Sequence, residues 1–153
     1  DFVLAFDLVV RVFGFLVEAA WAALPALALT TDTSFLTAYA NDFGFDGVFA
    51  RQIQALGKPN DVLLGISTSG NSRNIILAVE AAQALGMATI AFTGHGGILR
   101  ELADVAIPVP STITQFIQEA HLACEHMLCH LVERALYGEQ GNQAETPTTR
   151  KAA

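Results

Sequence analysis

Positive charge is what this chain has least of. Eight Lys and Arg stand against 15 Asp and Glu, giving a net charge of −7, and only 15% of the 153 residues are charged at all. A surface of that sign repels phosphodiester backbones and acidic headgroups, so direct nucleic-acid binding and docking on an anionic membrane are not expected. A small charged substrate is not excluded, because one local site can oppose the global sign. Cysteine is scarce too, with Cys124 and Cys129 the whole supply. Five residues apart in a helical pattern, they point to different faces. No disulfide is expected within that helix, and a reducing cytoplasm is the expected setting. No basic stretch precedes the apolar N-terminal residues, which argues against a secretory leader.

What the chain has in excess is apolar surface. Hydrophobic residues make up 52% of it, more than one domain of this size needs for its core, which points to a homo-oligomer with large interfaces. Between Phe2 and Leu29 the only charges are Asp7, Arg11 and Glu18. Val12–Leu29 is long enough to cross a bilayer on hydropathy. Glu18 near its centre and Pro25 near its end favour instead a buried strand and helix in an oligomer core. Asp7 and Arg11 stand at helical i, i+4 spacing and can pair.

Along the rest of the chain, strand-like and helix-like patterns alternate. Ala26–Leu29 reads as a strand, followed by a short helix through Tyr39 capped by Asp32 or Thr33. Asn41–Phe45 reads as a turn with Gly44 at positive φ, and a helix over Val48–Leu56 stops at Gly57-Lys58-Pro59-Asn60. Strands are expected at Val62–Ile66, Thr89–Phe92 and Val105–Val109, the last at an edge because of Pro108. A long helix over 114–136 closes the domain, with Ile117, Ala120, Cys124, Leu128, Leu131 and Ala135 on its buried face. Residues 1–137 form one domain on this reading, and the polar tail 138–153 is expected to be disordered. Alternating strands and helices joined by short loops call for a parallel sheet covered on both faces, with ligands beyond the carboxyl ends of its strands.

One such strand end stands out. Val62–Ile66 breaks into Ser67-Thr68-Ser69-Gly70-Asn71-Ser72, and a helical period begins at Arg73. A strand, a hydroxyl-rich turn and a helix N-terminus together aim free N–H groups and the positive end of the helix dipole at one spot. Without a Gly-Lys-Ser/Thr ending this is no nucleotide loop; hydroxyls without lysine suit a single phosphate monoester. The plainer alternative is that Ser72 or Asn71 only caps the helix. The Thr30–Ser34 and Thr93–Gly97 loops fall at strand ends as well.

The last helix holds the remaining polar groups. Gln118 and His126 are eight residues apart, about 12 Å along the axis. With metal–ligand bonds of about 2 Å they can hardly share one ion unaided; they flank a substrate, or meet a ligand from another subunit. His121 and Glu125 form an i, i+4 pair, and His126 and His130 have a zinc-like spacing, but each pattern is also that of a solvated helix face.

The run TTDTSFLTAYANDFGFDGVFARQIQALGKPNDVLLGISTSGNSRNIILAVEAAQALGM, followed by IQEAHLACEH, strongly resembles the bacterial phosphoheptose isomerases of the sugar isomerase (SIS) superfamily. The likeness runs from Leu24 to about Tyr137. It implies a flavodoxin-like three-layer α/β/α sandwich with a parallel sheet, assembled as a homotetramer, that converts sedoheptulose 7-phosphate to a D-glycero-D-manno-heptose 7-phosphate. That reaction opens heptose supply for lipopolysaccharide. Position by position, Ser67, Thr68, Ser69 and Ser72 match the family's phosphate loop and Asp42 an acidic residue lining the sugar site. Gln118 and His126 match a polar pair that in some members helps hold zinc. His126 is the expected catalytic group, since an imidazole ordinarily titrates near neutrality.

The family's Gly-Ser loop GNGGSA, and the histidine and catalytic glutamate after it, have no counterpart here. DFVLAF resembles the family's first strand and DLVVR the helix beginning at that glutamate. The resemblance therefore implies that residues are missing between them, and puts Asp7 at the glutamate's position. A non-enzymatic branch of the same superfamily, tetramers that bind the bacterial replication initiator, shares the phosphate loop but lacks the histidine matching His126.

Overall fold

The computed structural model describes residues 25–137. The strand and helix expected in Phe2–Leu24, the Asp7–Arg11 pair and the tail from Gly138 lie outside those residues. In chain order the elements are α1 (Thr33–Phe43), a 3₁₀ turn (Phe45–Gly47), α2 (Val48–Leu56), β1 (Val62–Ser67), α3 (Arg73–Ala84), β2 (Ala88–Thr93), α4 (Leu99–Leu102), β3 (Val105–Pro108) and α5 (Thr114–Tyr137). The three strands are parallel in the order β1-β2-β3.

Alternation within the strands sets the layers. Leu63 and Gly65 of β1 and Ala91 of β2 face a core shared with Val48, Phe49 and Ile53 of α2 and Ile75, Ile76 and Val79 of α3. Gly65 is what lets α3 come so close, since a Cβ there would sit 3.0 Å from Ile75 Cγ2. On the opposite face Phe92 meets the ring of His121 on α5, centroids 5.6 Å apart. Side chains buried on both faces of one parallel sheet are the three-layer α/β/α arrangement the alternating pattern calls for. Among the described strands β3 is an edge, and Pro108 closes its ladder opposite Thr93.

Three local expectations need correction. Ala26–Leu29 is buried at Ala28 and Leu29 but is not a strand. The carbonyl of Ala28 accepts from Thr31 N–H and Oγ1, and that of Leu29 from Gln52 Nε2, so both are taken by a turn and a side chain rather than a ladder. Secondly, α1 runs past Tyr39 to Phe43, absorbing most of the expected turn. Phe35, Tyr39 and Phe43 stack along it with centroids 5.5 and 5.1 Å apart, and only Gly44, at φ +87°, stops it. Asp32 does cap it, accepting from Phe35 N–H at 3.0 Å. Thirdly, the buried stripe of α5 is Ile117, His121, Glu125 and Cys129, while Leu131 and Ala135 are not buried. His121 and Glu125 are core residues, each 1% exposed, and not a solvated face.

Candidate functional site

The loop after β1 is built around hydroxyls. Ser67 is buried at the strand end, and its Oγ lies 2.8 Å from Ser72 Oγ and 3.3 Å from Ser69 Oγ. Ser72 occupies the N-cap of α3, yet its side chain makes no capping hydrogen bond. It turns back into the serine cluster, against the reading in which it only caps. The N–H groups of Ser72, Arg73 and Asn74 have no acceptor among the described residues. Gly70 N–H closes the turn onto Ser67 O at 3.0 Å, and Gly70 sits at φ +66°, where a side chain would be strained. Hydroxyls and unpaired N–H groups gathered at the positive end of a three-turn helix suit an anion with several oxygens. Thr68 is half-buried, its carbonyl taken by Gly94 N–H at 3.1 Å.

The loop after β2 is zipped onto this one. Besides Gly94 N–H to Thr68 O, Leu99 N–H donates to Gly70 O and Ile98 N–H to Asn71 Oδ1, both at 3.0 Å. Contact is backbone on backbone: a Cβ on Gly97 would lie 2.5 Å from Gly70 Cα, and one on Gly70 would collide with the Gly96 carbonyl. His95 at the tip is exposed, its carbonyl 3.5 Å from Arg100 Nη1.

Under this double loop lies the polar pair of α5. Nε2–H of His121 donates to the carbonyl of Thr93 at 3.0 Å; a carbonyl can only accept, so the proton sits on Nε2 and Nδ1 is left an acceptor. Burial holds His121 below the usual imidazole range. Burial also pushes the Glu125 carboxyl up to about 7. Neither His121 Nδ1 nor either Glu125 oxygen has a partner among the described residues. The Cys129 thiol is pushed up to about 11, by burial and then by the nearby Glu125 and Glu133, which makes it an inert packing residue.

A family model described as SIS domain matches residues 3–94. The chain belongs to the SIS domain family. It is 55% identical over 117 residues to the phosphoheptose isomerase of Akkermansia muciniphila, covering 76% of this chain and 62% of that protein. Against the phosphoheptose isomerase of Burkholderia pseudomallei it is 54% identical over 118 residues, 76% of this chain and 60% of the other. The chain thus spans about three-fifths of the length of these curated relatives. Among solved structures, a phosphoheptose isomerase from Francisella tularensis superposes with a TM-score of 0.77 at 39% identity, covering 84% of this chain and 72% of that one. One from Neisseria gonorrhoeae gives 0.72 at 47% identity, covering 78% and 68%. The three-layer architecture with its parallel sheet is therefore the SIS fold, in the branch of the phosphoheptose isomerases.

Among the described residues, those expected to do chemistry lie at the surface. Gln118 and His126 are both exposed on α5, and Asp42 is exposed at the end of α1, where Asn41 Nδ2 donates to it at 2.9 Å. Among the described residues no group of three or more His, Cys, Asp or Glu is placed to hold a metal. An amide oxygen and one imidazole do not complete a tetrahedral zinc shell, so the described residues of one chain do not fit zinc. Asp7 lies outside them. Sequence reasoning undervalued Asn71, whose bond to Ile98 spans 27 residues, and the buried pair. The four-residue spacing Ile117-His121-Glu125-Cys129 was the available signal for that pair.

Proposed function

We propose that this chain acts as a ketose–aldose isomerase on sedoheptulose 7-phosphate, giving D-glycero-D-manno-heptose 7-phosphate in the cytoplasm. The observation that carries the reading is the uncapped N-terminus of α3 facing three clustered serine hydroxyls, in a chain whose relatives are phosphoheptose isomerases. In this reading Ser67, Thr68, Ser69 and Ser72, with the first N–H groups of α3, hold the terminal phosphate and fix the reach of the sugar. Asp42 and Gln118 bind sugar hydroxyls. A base removes a proton from C1 of the ketose while an acid protonates the C2 oxygen, giving the 1,2-enediol; a proton then returns to C2 as the C1 hydroxyl gives up its own, leaving the aldehyde at C1. His126 is assigned one of these two roles, base or acid, since an imidazole nitrogen can both take up and give back a proton; Asp7 is assigned the other.

A homotetramer belongs to the same proposal. Phe43, Phe45, Phe116, Met127 and Leu131 are all exposed in the single chain, and an assembly that covers them can bring Asp42, Gln118 and His126 of different copies together. Zinc, in this proposal, is held by Gln118 and His126 with donors from beyond one chain's described residues, and no proton transfer is routed through it. Sugar phosphate is the small-molecule partner, with neither nucleic acid nor membrane. No helix among the described residues is long and apolar enough to cross a bilayer.

The test is incubation of the full chain with sedoheptulose 7-phosphate, following aldoheptose phosphate by chromatography, beside His126→Ala. Turnover that His126→Ala lowers about a hundred-fold or more, within the range for a proton-transfer group, is the expected result. No turnover by the unaltered chain, with or without added zinc, refutes the reading and returns the initiator-binding alternative.

A further inference from the structure

We propose that Asn71 is a positioning residue whose side-chain carbonyl latches the loop after β2 onto the loop after β1 and so keeps the Gly70 carbonyl turned away from a bound phosphate. The proposal rests on the phosphate-binding reading of Ser67–Ser72 given above. An anion site made of backbone tolerates no carbonyl oxygen pointing inward, because its partial negative charge opposes the ligand where the N–H groups favour it. The peptide joining Gly70 to Asn71 is the one at risk. Gly70 stands at φ +66°, in a conformation with no side chain to restrain it.

That peptide is held at both ends. Its oxygen accepts from Leu99 N–H at 3.0 Å, and its N–H donates to Ser69 Oγ at 3.2 Å. Leu99 can hold the oxygen only while the 94–98 segment stays in place. Asn71 fixes that segment next door, accepting from Ile98 N–H at 3.0 Å, while its own Nδ2 donates to Ser69 O at 3.2 Å. Among the described residues this is the one side-chain hydrogen bond joining the two loops; the other ties, Gly94 to Thr68 and Leu99 to Gly70, are backbone. Asn71 is exposed, so the core does not depend on it and its replacement leaves the fold intact. The Asn71 amide is thus placed to tune the site without touching the reacting carbons.

Amide hydrogen exchange and binding of inorganic phosphate, read by calorimetry, test this together. In Asn71→Ala, and in the similarly shaped Asn71→Leu, the amides of Ile98 and Leu99 exchange faster while those of β1 and β2 keep their protection. Phosphate affinity falls about five-fold, in line with the loss of one hydrogen bond. KM for the sugar phosphate rises by the same factor at unchanged kcat. Asn71→Asp, which keeps the acceptor, restores protection of Ile98. Unchanged phosphate affinity in Asn71→Ala and Asn71→Leu, or unchanged exchange at Ile98, overturns the latch. Failure of the unaltered chain to bind phosphate or sugar phosphate is a different result, and overturns the loop reading on which the latch depends.

Discussion

Glu125→Gln is the substitution whose effect the structure defines best. The Glu125 carboxyl is 1% exposed with both oxygens unpartnered among the described residues, and burial raises it from 4.5 to about 7. In the unfolded chain it ionises near its ordinary value, so between pH 4.5 and 7 the folded state binds more protons than the unfolded one. Stability from this group is therefore complete below pH 4.5 and drains away as pH rises to 7. At about 1.4 kcal/mol for each pH unit, the loss by about pH 8 is about 3 kcal/mol. A glutamine amide in its place has the same shape and no charge to bury. In urea unfolding at fixed chain concentration, Glu125→Gln should match the unaltered protein within about 0.5 kcal/mol at about pH 4.5 and exceed it by up to about 3 kcal/mol at about pH 8.

His121 titrates with the opposite sign. Buried and held below its ordinary 6.5, it is neutral in the fold, so its contribution is lost as pH falls below that value. Both proteins carry His121 unchanged, which is why the difference between them, and not either curve alone, isolates the carboxyl. A difference that stays flat from about pH 4.5 to about pH 8 would falsify the burial reading of Glu125, and would mean that a cation reaches it in the folded protein.

Two further substitutions probe the scaffold. Gly70→Ala puts a Cβ against the Gly96 carbonyl at φ +66°, and should cost about 2 kcal/mol or more together with phosphate affinity. Gly96→Ala, with open space around it and no positive φ, should stay within about 0.5 kcal/mol in the same urea titrations. Asp32→Ala removes the acceptor for Phe35 N–H and should cost about 1 kcal/mol locally. Because no residue of α1 is buried, the loss should read as faster amide exchange in α1 with α2 and α3 unaffected.

The parts of the fold legible from sequence were those fixed by neighbours in the chain. β1 with its serine turn, Gly44 at φ +87° and Pro108 on an edge strand each follow from residue chemistry at the spot. Ala26–Leu29 failed because its apolar run is equally good for an irregular buried segment; the difference lies in Gln52, far along the chain, which takes the Leu29 carbonyl. The buried stripe of α5 was misplaced for a related reason. A period near 3.6 fits Ile117-Ala120-Cys124-Leu128 as well as Ile117-His121-Glu125-Cys129, within about one residue per turn. Polarity favoured the first, but the Thr93 carbonyl, which satisfies His121, exists only once β2 and α5 have packed.

The same distinction divides the site itself. The proposed phosphate end is built from one continuous run, Ser67–Asn74, with its hydroxyls and free N–H groups set by one turn and one helix start. Proton transfer asks for more, since an acid and a base must each come within about 3 Å of defined substrate atoms. Asp42, Gln118 and His126 sit exposed on α1 and α5, and nothing within one chain's described residues draws them to the serine cluster. Exposed Phe116, Met127 and Leu131 on α5 give that helix a reason to be covered, and covering it would fix Gln118 and His126 in the same step. On the proposed reading, binding is encoded locally in the loop after β1, and chemistry draws on residues that an assembly would bring together.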